Sequence, residues 1–511
     1  MIFLCFLPTL FFLADFFSLD SAVLQEGLQL LCQSAAPTLA ICFLSSTLAV
    51  FFGFCAAFFL VKRFVPYRFF FFTLVIAALA VPIHIHACHW MILLGRNGLL
   101  TGWIQILFPG FSLYGIFGVA WITAVSFSPL ATTVCTFSLV YSDKNALAEQ
   151  VKLYLTPRQR FFWVILPQRL WGIAISFLLV FLLTLGEMAV SDLLGVETLG
   201  RQIYLFLSLY YRPEMALMMA IPILAITILV CSIFYFFLKR KGADILESIQ
   251  KRDNFTCLSY KKKILYIFPL LLCMPYLVSF PVLILAMGNL QNLYNTFFSI
   301  APEFWHSLIL SLCSAVLIVL LAMPVAWLLL RNFFPASFFL FFMVWVAVVP
   351  SSLTALGILR IFTRAGEIPF LGAFFLALRD TDIILIFGLV IRYIPYVLLV
   401  CLLGMCQVPI QLEEQASLFG CNRKKQFFYI VIPLCKTVIM IAFFMGFLLC
   451  LFDLNLTLLL VPPGITTLTV RIFTLLHYGV RSDVANSSMF LILIAFFTIF
   501  PCYFAISSKK S

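Results

Sequence analysis

Charge is scarce in this sequence. Of its 511 residues only 10% are Asp, Glu, Lys or Arg, against 64% hydrophobic, and the mean hydropathy is +1.14. That balance excludes a soluble globular domain, whose surface needs polar cover. Motifs that carry catalytic chemistry are missing too. No GxxxxGKS/T phosphate loop occurs, so the chain does not bind ATP in that manner. There is no HExxH, no GxSxG and no zinc-spaced Cys/His set. No CxxC pair occurs either; nearly all of the 16 cysteines, such as Cys42, Cys55, Cys313 and Cys450, lie in apolar stretches. They read as small apolar packing residues, not as disulfides or zinc ligands. The apolar runs do not alternate with period two, which argues against a β-barrel. What remains is an all-α membrane protein.

A helix needs about 20 apolar residues to cross a hydrocarbon core of about 30 Å. The sequence offers about 12 such stretches. They lie near 2–18, 35–61, 67–92, 113–141, 169–193 and 215–238, then near 264–287, 305–330, 337–362, 382–405, 435–460 and 487–507. The start is apolar from Ile2 without the basic opening of a signal peptide, so a spanning helix is expected there. The net charge of +12 is explained by placement. With the loop after the second span taken as cytoplasmic, that side holds 23 of the 32 Lys and Arg residues. Both termini are then cytoplasmic. No nucleic-acid partner is needed to account for the charge; the lipid bilayer is the expected surrounding. Residues 239–263, KRKGADILESIQKRDNFTCLSYKKK, form the one long charged run and read as a linker. It divides a first half, 1–238, from a second, 264–511.

Landmarks recur between these halves at an offset of about 267. Pro8, Pro66, Pro82, Pro129 and Pro167 correspond to Pro275, Pro335, Pro350, Pro395 and Pro433, and Glu187 to Asp453. Six ordered matches within three residues of one offset point to an internal repeat. Six spans per half is an even number, so the halves share one orientation, a parallel repeat.

The most informative loop is EEQASLFGCNRKKQFFYIVIP, Glu413 to Pro433. Gln411–Phe419 has the composition of a short helix, Gly420 is suited to a left-handed turn, and Arg423, Lys424 and Lys425 open a basic second helix. Pro433 stands where the next helix begins and its missing N–H costs nothing. The loop resembles the "EAA" loop of bacterial ABC importer permeases. That pattern has Glu, Ala two residues on, Gly six on, an aromatic thirteen on and Pro nineteen on. Glu414, Ala416, Gly420, Phe427 and Pro433 match it. The first half carries a degenerate copy, Ala146 to Pro167. It keeps Phe161 and Pro167, but Ala148 takes the acidic position with Glu149 and Gln150 after it, and Tyr154 takes the glycine position.

The resemblance implies a MetI-like ABC permease fold of two six-helix repeats, in the iron(III)- and thiamine-type branch. It implies that Glu414 and Gly420 belong to a coupling loop docking on an ABC ATPase subunit, present in two copies. It implies an extracytoplasmic solute-binding protein as second partner, iron(III) ahead of thiamine as solute, and a bacterial inner-membrane location. The chain itself would be a transport subunit, not an enzyme, and no cofactor is expected. With Glu and Gly lost from the first loop, coupling to ATP hydrolysis is expected to be asymmetric.

Glu187 and Asp453 are charges inside apolar stretches, where each costs about 2.5–3.5 kcal/mol on insertion scales. They either line a translocation route that favours a cation or bond between helices. Arg392 lies in another such stretch and is a candidate partner for Asp453. His84, His86, Cys88 and His89 invite a metal reading, but a helix sets His84 and Cys88 on one face and His86 and His89 on another. The cluster is unmatched in the second half, which has Ser351, Ser352 and Thr354 there. Two other classes compete: a twelve-helix secondary transporter driven by protons through Glu187 or Asp453, and a membrane-embedded enzyme or scaffold. Neither explains the paired cytoplasmic loops.

Overall fold

The computed structural model describes residues 21–61, 81–140, 155–250, 279–331, 349–366, 372–406, 408–479 and 482–507, with scattered residues in 71–79 and 343–347. Among them there is no strand. The expected span 2–18, residues 251–263 of the linker and most of 264–287 lie outside the described residues, as do Glu149, Gln150 and Tyr154.

The helices used below are α1 (Ser21–Leu60), α2 (Ile83–Leu94), α3 (Ile116–Val140), α4 (Leu166–Leu185), α5 (Ala189–Leu193), α6 (Leu199–Ser208) and α7 (Pro213–Gln250). They continue with α8 (Leu290–Leu330), α9 (Ser351–Ala365), α10 (Asp382–Met405), α11 (Ile410–Leu418), α12 (Arg423–Gln426), α13 (Lys436–Leu451), α14 (Asn455–Leu460), α15 (Leu468–His477) and α16 (Ser482–Ser507). Among the described residues, six helices are long and apolar enough to cross a bilayer: within α1, α3, α4, α7, α8 and α10. A seventh span arises if Arg423–Leu434 and Lys436–Leu451, bent by 78°, count as one.

Several expected spans differ from what is found. The second and eighth begin 14 or 15 residues early, at Ser21 and Leu290. At 1.5 Å per residue, α1 and α8 are each about 60 Å long, twice the apolar thickness of a bilayer. Their extra turns survive because tertiary partners hold them. Arg212 donates to Glu26 at 2.9 Å through both terminal nitrogens, and Gly27 lies against Met218. On the other side, Asn486 donates to Thr296, which bonds Asp483. The stretches 169–193 and 435–460 are not single helices: α4 stops at Gly186 and α13 at Phe452, and a short helix follows each break. The linker begins inside α7, which stays helical to Gln250.

Helices α1, α3 and α4 pack together, and so do α8, α10 and α13. The apolar core runs across both sets, joining Leu185, Met219 and Ile223 to Ile318, Val349 and Leu389. Large apolar side chains such as Phe43, Phe51, Leu320 and Phe497 face outwards, 58 to 77% exposed. In water that surface would aggregate; in lipid it is the solvated face. All described cysteines are free thiols.

Candidate functional site: a docking loop and a cavity between the two helix sets

Local chemistry builds the loop at Glu413–Pro433. Helix α11 ends at Gly420, which adopts φ +79°, while Cys421 N–H bonds back to Ala416. Only glycine takes that angle without a steric penalty. Asn422 then caps α12, accepting from Lys425 N–H at 2.9 Å. A π-helical turn, Phe427–Val431, leads to Pro433. Before Pro167, Thr156 and Gln159 form a reciprocal cap, and a π-turn over Arg160–Ile165 leads to the proline.

Glu414 is exposed and Ala416 half-buried. The buried acid is its neighbour Glu413. Its carboxylate accepts Trp327 Nε1–H at 2.9 Å and Arg331 Nε–H at 3.1 Å, and Arg331 Nη2 also donates to it. Phe427 packs against Trp327 at a tilt, ring centroids 5.3 Å apart. Phe161 meets Phe58 edge to face at 5.4 Å. The loop is thus bolted to the end of α8 and presents Leu418 and Phe419, 85% and 89% exposed, at its tip. Sequence reasoning missed both features. The second glutamate beside the motif acid, and two apolar residues in a charged loop, were the available signals.

Glu187 and Asp453 occupy the two breaks. Glu187 Oε1 accepts the N–H groups of Ala189 (2.7 Å) and Val190 (3.2 Å), starting α5. Asp453 Oδ1 accepts Leu456 and Thr457 N–H and the Thr457 hydroxyl, starting α14. Its Oδ2 accepts Tyr393 O–H at 2.6 Å. The framing bonds match as well: Leu199 N–H donates to Thr38 Oγ1 (2.9 Å), and Leu468 N–H to Ser307 Oγ (2.7 Å).

Arg392 does not pair with Asp453. Its Nη1 donates to Val346 O at 3.1 Å and to Val349 O. The cause is Pro350: without an N–H, it leaves the Val346 carbonyl with no helical partner, and the guanidinium fills the gap.

These groups share one cavity of about 160 Å³ where the two helix sets meet, lined by His84, Glu187, Ser351, Arg392, Tyr393 and Asp453 among others. Close approach at its wall is marked by Gly186, whose Cβ would lie 2.9 Å from the Pro350 ring. Of the histidine cluster, only His84 borders this cavity. His86 and His89 meet edge to face, 5.1 Å apart. Among the described residues no three His, Cys, Asp or Glu side chains are grouped to hold a metal.

Beyond the breaks, the sets are tied by Asp192 of α5 and His477 of α15. His477 Nε2 lies 2.9 Å from Asp192 Oδ2, while Arg201 Nε donates to Oδ1 at 2.8 Å. Burial alone would raise the Asp192 carboxyl; the bonds from His477 and Arg201 outweigh it and hold it below the usual carboxylate range. The bond to Asp192 raises His477 above its ordinary 6.5, against its partial burial. The carboxylate's contribution to stability is present above its unfolded pKa and is lost as pH falls through the depressed folded value. The histidine's contribution is full below 6.5 and is lost as pH rises through the raised value. Replacing His477 with Gln is therefore expected to lower the melting temperature at about pH 6 and to matter progressively less as the pH rises through the histidine's raised pKa. Parallel melting curves of the two proteins across that range would show the pair to be inert.

No protein-family model matches the chain. Among curated proteins it is similar to the Fe(3+)-transport system permease protein FbpB 2 of Haemophilus influenzae, 24% identical over 411 residues that cover 78% of each chain. The resemblance to iron(III)- and thiamine-type importer permeases, which the apolar stretches and chain length suggested, is met by this relative.

Proposed function

We propose that this multi-pass membrane protein, similar to an iron(III)-system permease, is itself the permease subunit of an ATP-binding-cassette importer in a bacterial inner membrane. The observation that carries the proposal is the loop at Glu413–Pro433. It combines the permease spacing with a glycine turn, an anchor on α8 and an exposed apolar tip. A tip of that kind needs a protein partner, and the chain has no phosphate loop, so the partner is a separate ATPase subunit. An extracytoplasmic binding protein delivers the solute. Iron(III), named by the relative, is favoured over thiamine.

Two parallel halves are supported by the paired bonds at Thr38 and Ser307, the paired π-turns and the paired carboxylate caps. The cavity bordered by Glu187, Arg392 and Asp453 lies where such halves meet and forms part of the route. A proton-driven secondary transporter is disfavoured because both of its candidate proton carriers are engaged as helix caps. Uptake of labelled iron(III) and labelled thiamine by cells with and without the chain separates the solutes. Iron uptake is expected to be lost on deletion while thiamine uptake persists; the reverse would reassign the solute.

A further inference from the structure

Two helices start at the cavity wall with no side-chain cap among the described residues. Helix α2 begins at Ile83 after Pro82, and α9 at Ser351 after Pro350, 268 residues on. Neither has a side-chain cap. The N–H groups of Ile83, His84, Ser351 and Ser352 bond no group among the described residues, since the turns close only from Ile85 and Leu353 onward. Ile83, His84 and Ser351 border the cavity. Free N–H groups at a helix start carry partial positive charge and favour an anion.

A second observation points the same way. Arg392 borders the same cavity and is buried, 9% exposed. Its hydrogen bonds all leave from Nη1, and its Nε has no partner among the described residues. Buried donors without acceptors are costly, and a ligand oxygen relieves that cost. His84, 1% exposed, likewise has an unpartnered Nε2. The oxygens of the carboxylates are turned to other partners: Asp453 accepts four bonds, from α14 and Tyr393, and one oxygen of Glu187 accepts two from α5. The cavity's 160 Å³ far exceeds the roughly 15 Å³ that one water needs.

We propose that this cavity holds a small oxyanion, a phosphate or a carboxylate, between the starts of α2 and α9 and the Arg392 guanidinium. The assignment rests on reading the cavity as part of a translocation route. It makes the transported species there an anion or a cation accompanied by one, with the remaining Glu187 oxygen beside it.

The test is equilibrium binding of labelled inorganic phosphate and labelled citrate to the full chain in lipid nanodiscs, without ATPase. Which of the two binds identifies the oxyanion. Ser351→Asp places a carboxylate at the start of α9, where it suits the helix dipole but occupies the anion's place. Saturable binding of at least one anion by the unaltered chain is expected, with a tenfold or greater loss in S351D. If S351D does not fold, Arg392→Gln is measured against the same threshold. No saturable binding of either anion, or a smaller loss in the folded variant, overturns the proposal. ATPase association is measured separately, so failure of the permease reading and failure of this one are distinguishable.

Discussion

Replacing Phe419 with Asp is expected to strip the proposed ATPase subunit from the purified protein while leaving the chain itself folded. Phe419 is 89% exposed, so its loss removes no core contact. It sits beside Leu418 at the tip of the loop, one residue before the glycine turn. Aromatic anchors at the centre of an interface typically carry about 2–4 kcal/mol each. Setting an aspartate there adds the cost of burying an unpaired charge. Stoichiometric co-purification in mild detergent should fall at least a hundredfold, with the melting temperature of the chain unchanged. Retention of the ATPase by F419D would mean that this tip is not the docking surface.

Replacing Glu413 with Ala acts on the opposite property. Its side chain is 7% exposed and that of Arg331 15% exposed, so the pair is shielded from solvent. Removing one member of a shielded pair leaves the other uncompensated and costs about 3–5 kcal/mol. Trp327 loses its Nε1 acceptor at the same time. E413A is expected to melt at markedly lower temperature. Glu414→Ala, one residue away and exposed, should leave stability unchanged and weaken only the association with the ATPase. Equal melting temperatures for the two variants would remove Glu413 from the anchor. The contrast separates the acid that holds the loop from the acid that the permease pattern assigns to the partner.

The loop was legible in the sequence because its logic is local. A glycine, a capping Asn422, an aromatic and a proline at fixed spacing describe a turn without knowledge of the rest of the chain. Glu187, Asp453 and Arg392 were legible as charges in apolar runs, which is why all three could be singled out and why all three border one cavity. What they bond was not legible. Both breaks lie inside stretches apolar enough overall to read as one span, so an averaged hydropathy window runs across Gly186 and Phe452. The helices stop there because a carboxylate two or three residues before the next turn can take over its free N–H groups. Arg392 was matched with the wrong partner for a related reason. A carbonyl orphaned by a proline 42 residues upstream is invisible to charge pairing, yet it is a strong acceptor in a buried site. The lengths of α1 and α8 were likewise set by Arg212, Met218, Asp483 and Asn486, residues distant in sequence.

The central claim is that this chain transports only when a separate ATPase drives it through the loop at Glu413–Pro433. Its most direct test is iron(III) transport in proteoliposomes holding the purified chain with its co-purifying ATPase, with binding protein outside and ATP inside. The account predicts iron accumulation that requires ATP, is indifferent to a proton gradient, and is lost in F419D. Accumulation driven by a proton gradient in vesicles that hold the chain alone would contradict it.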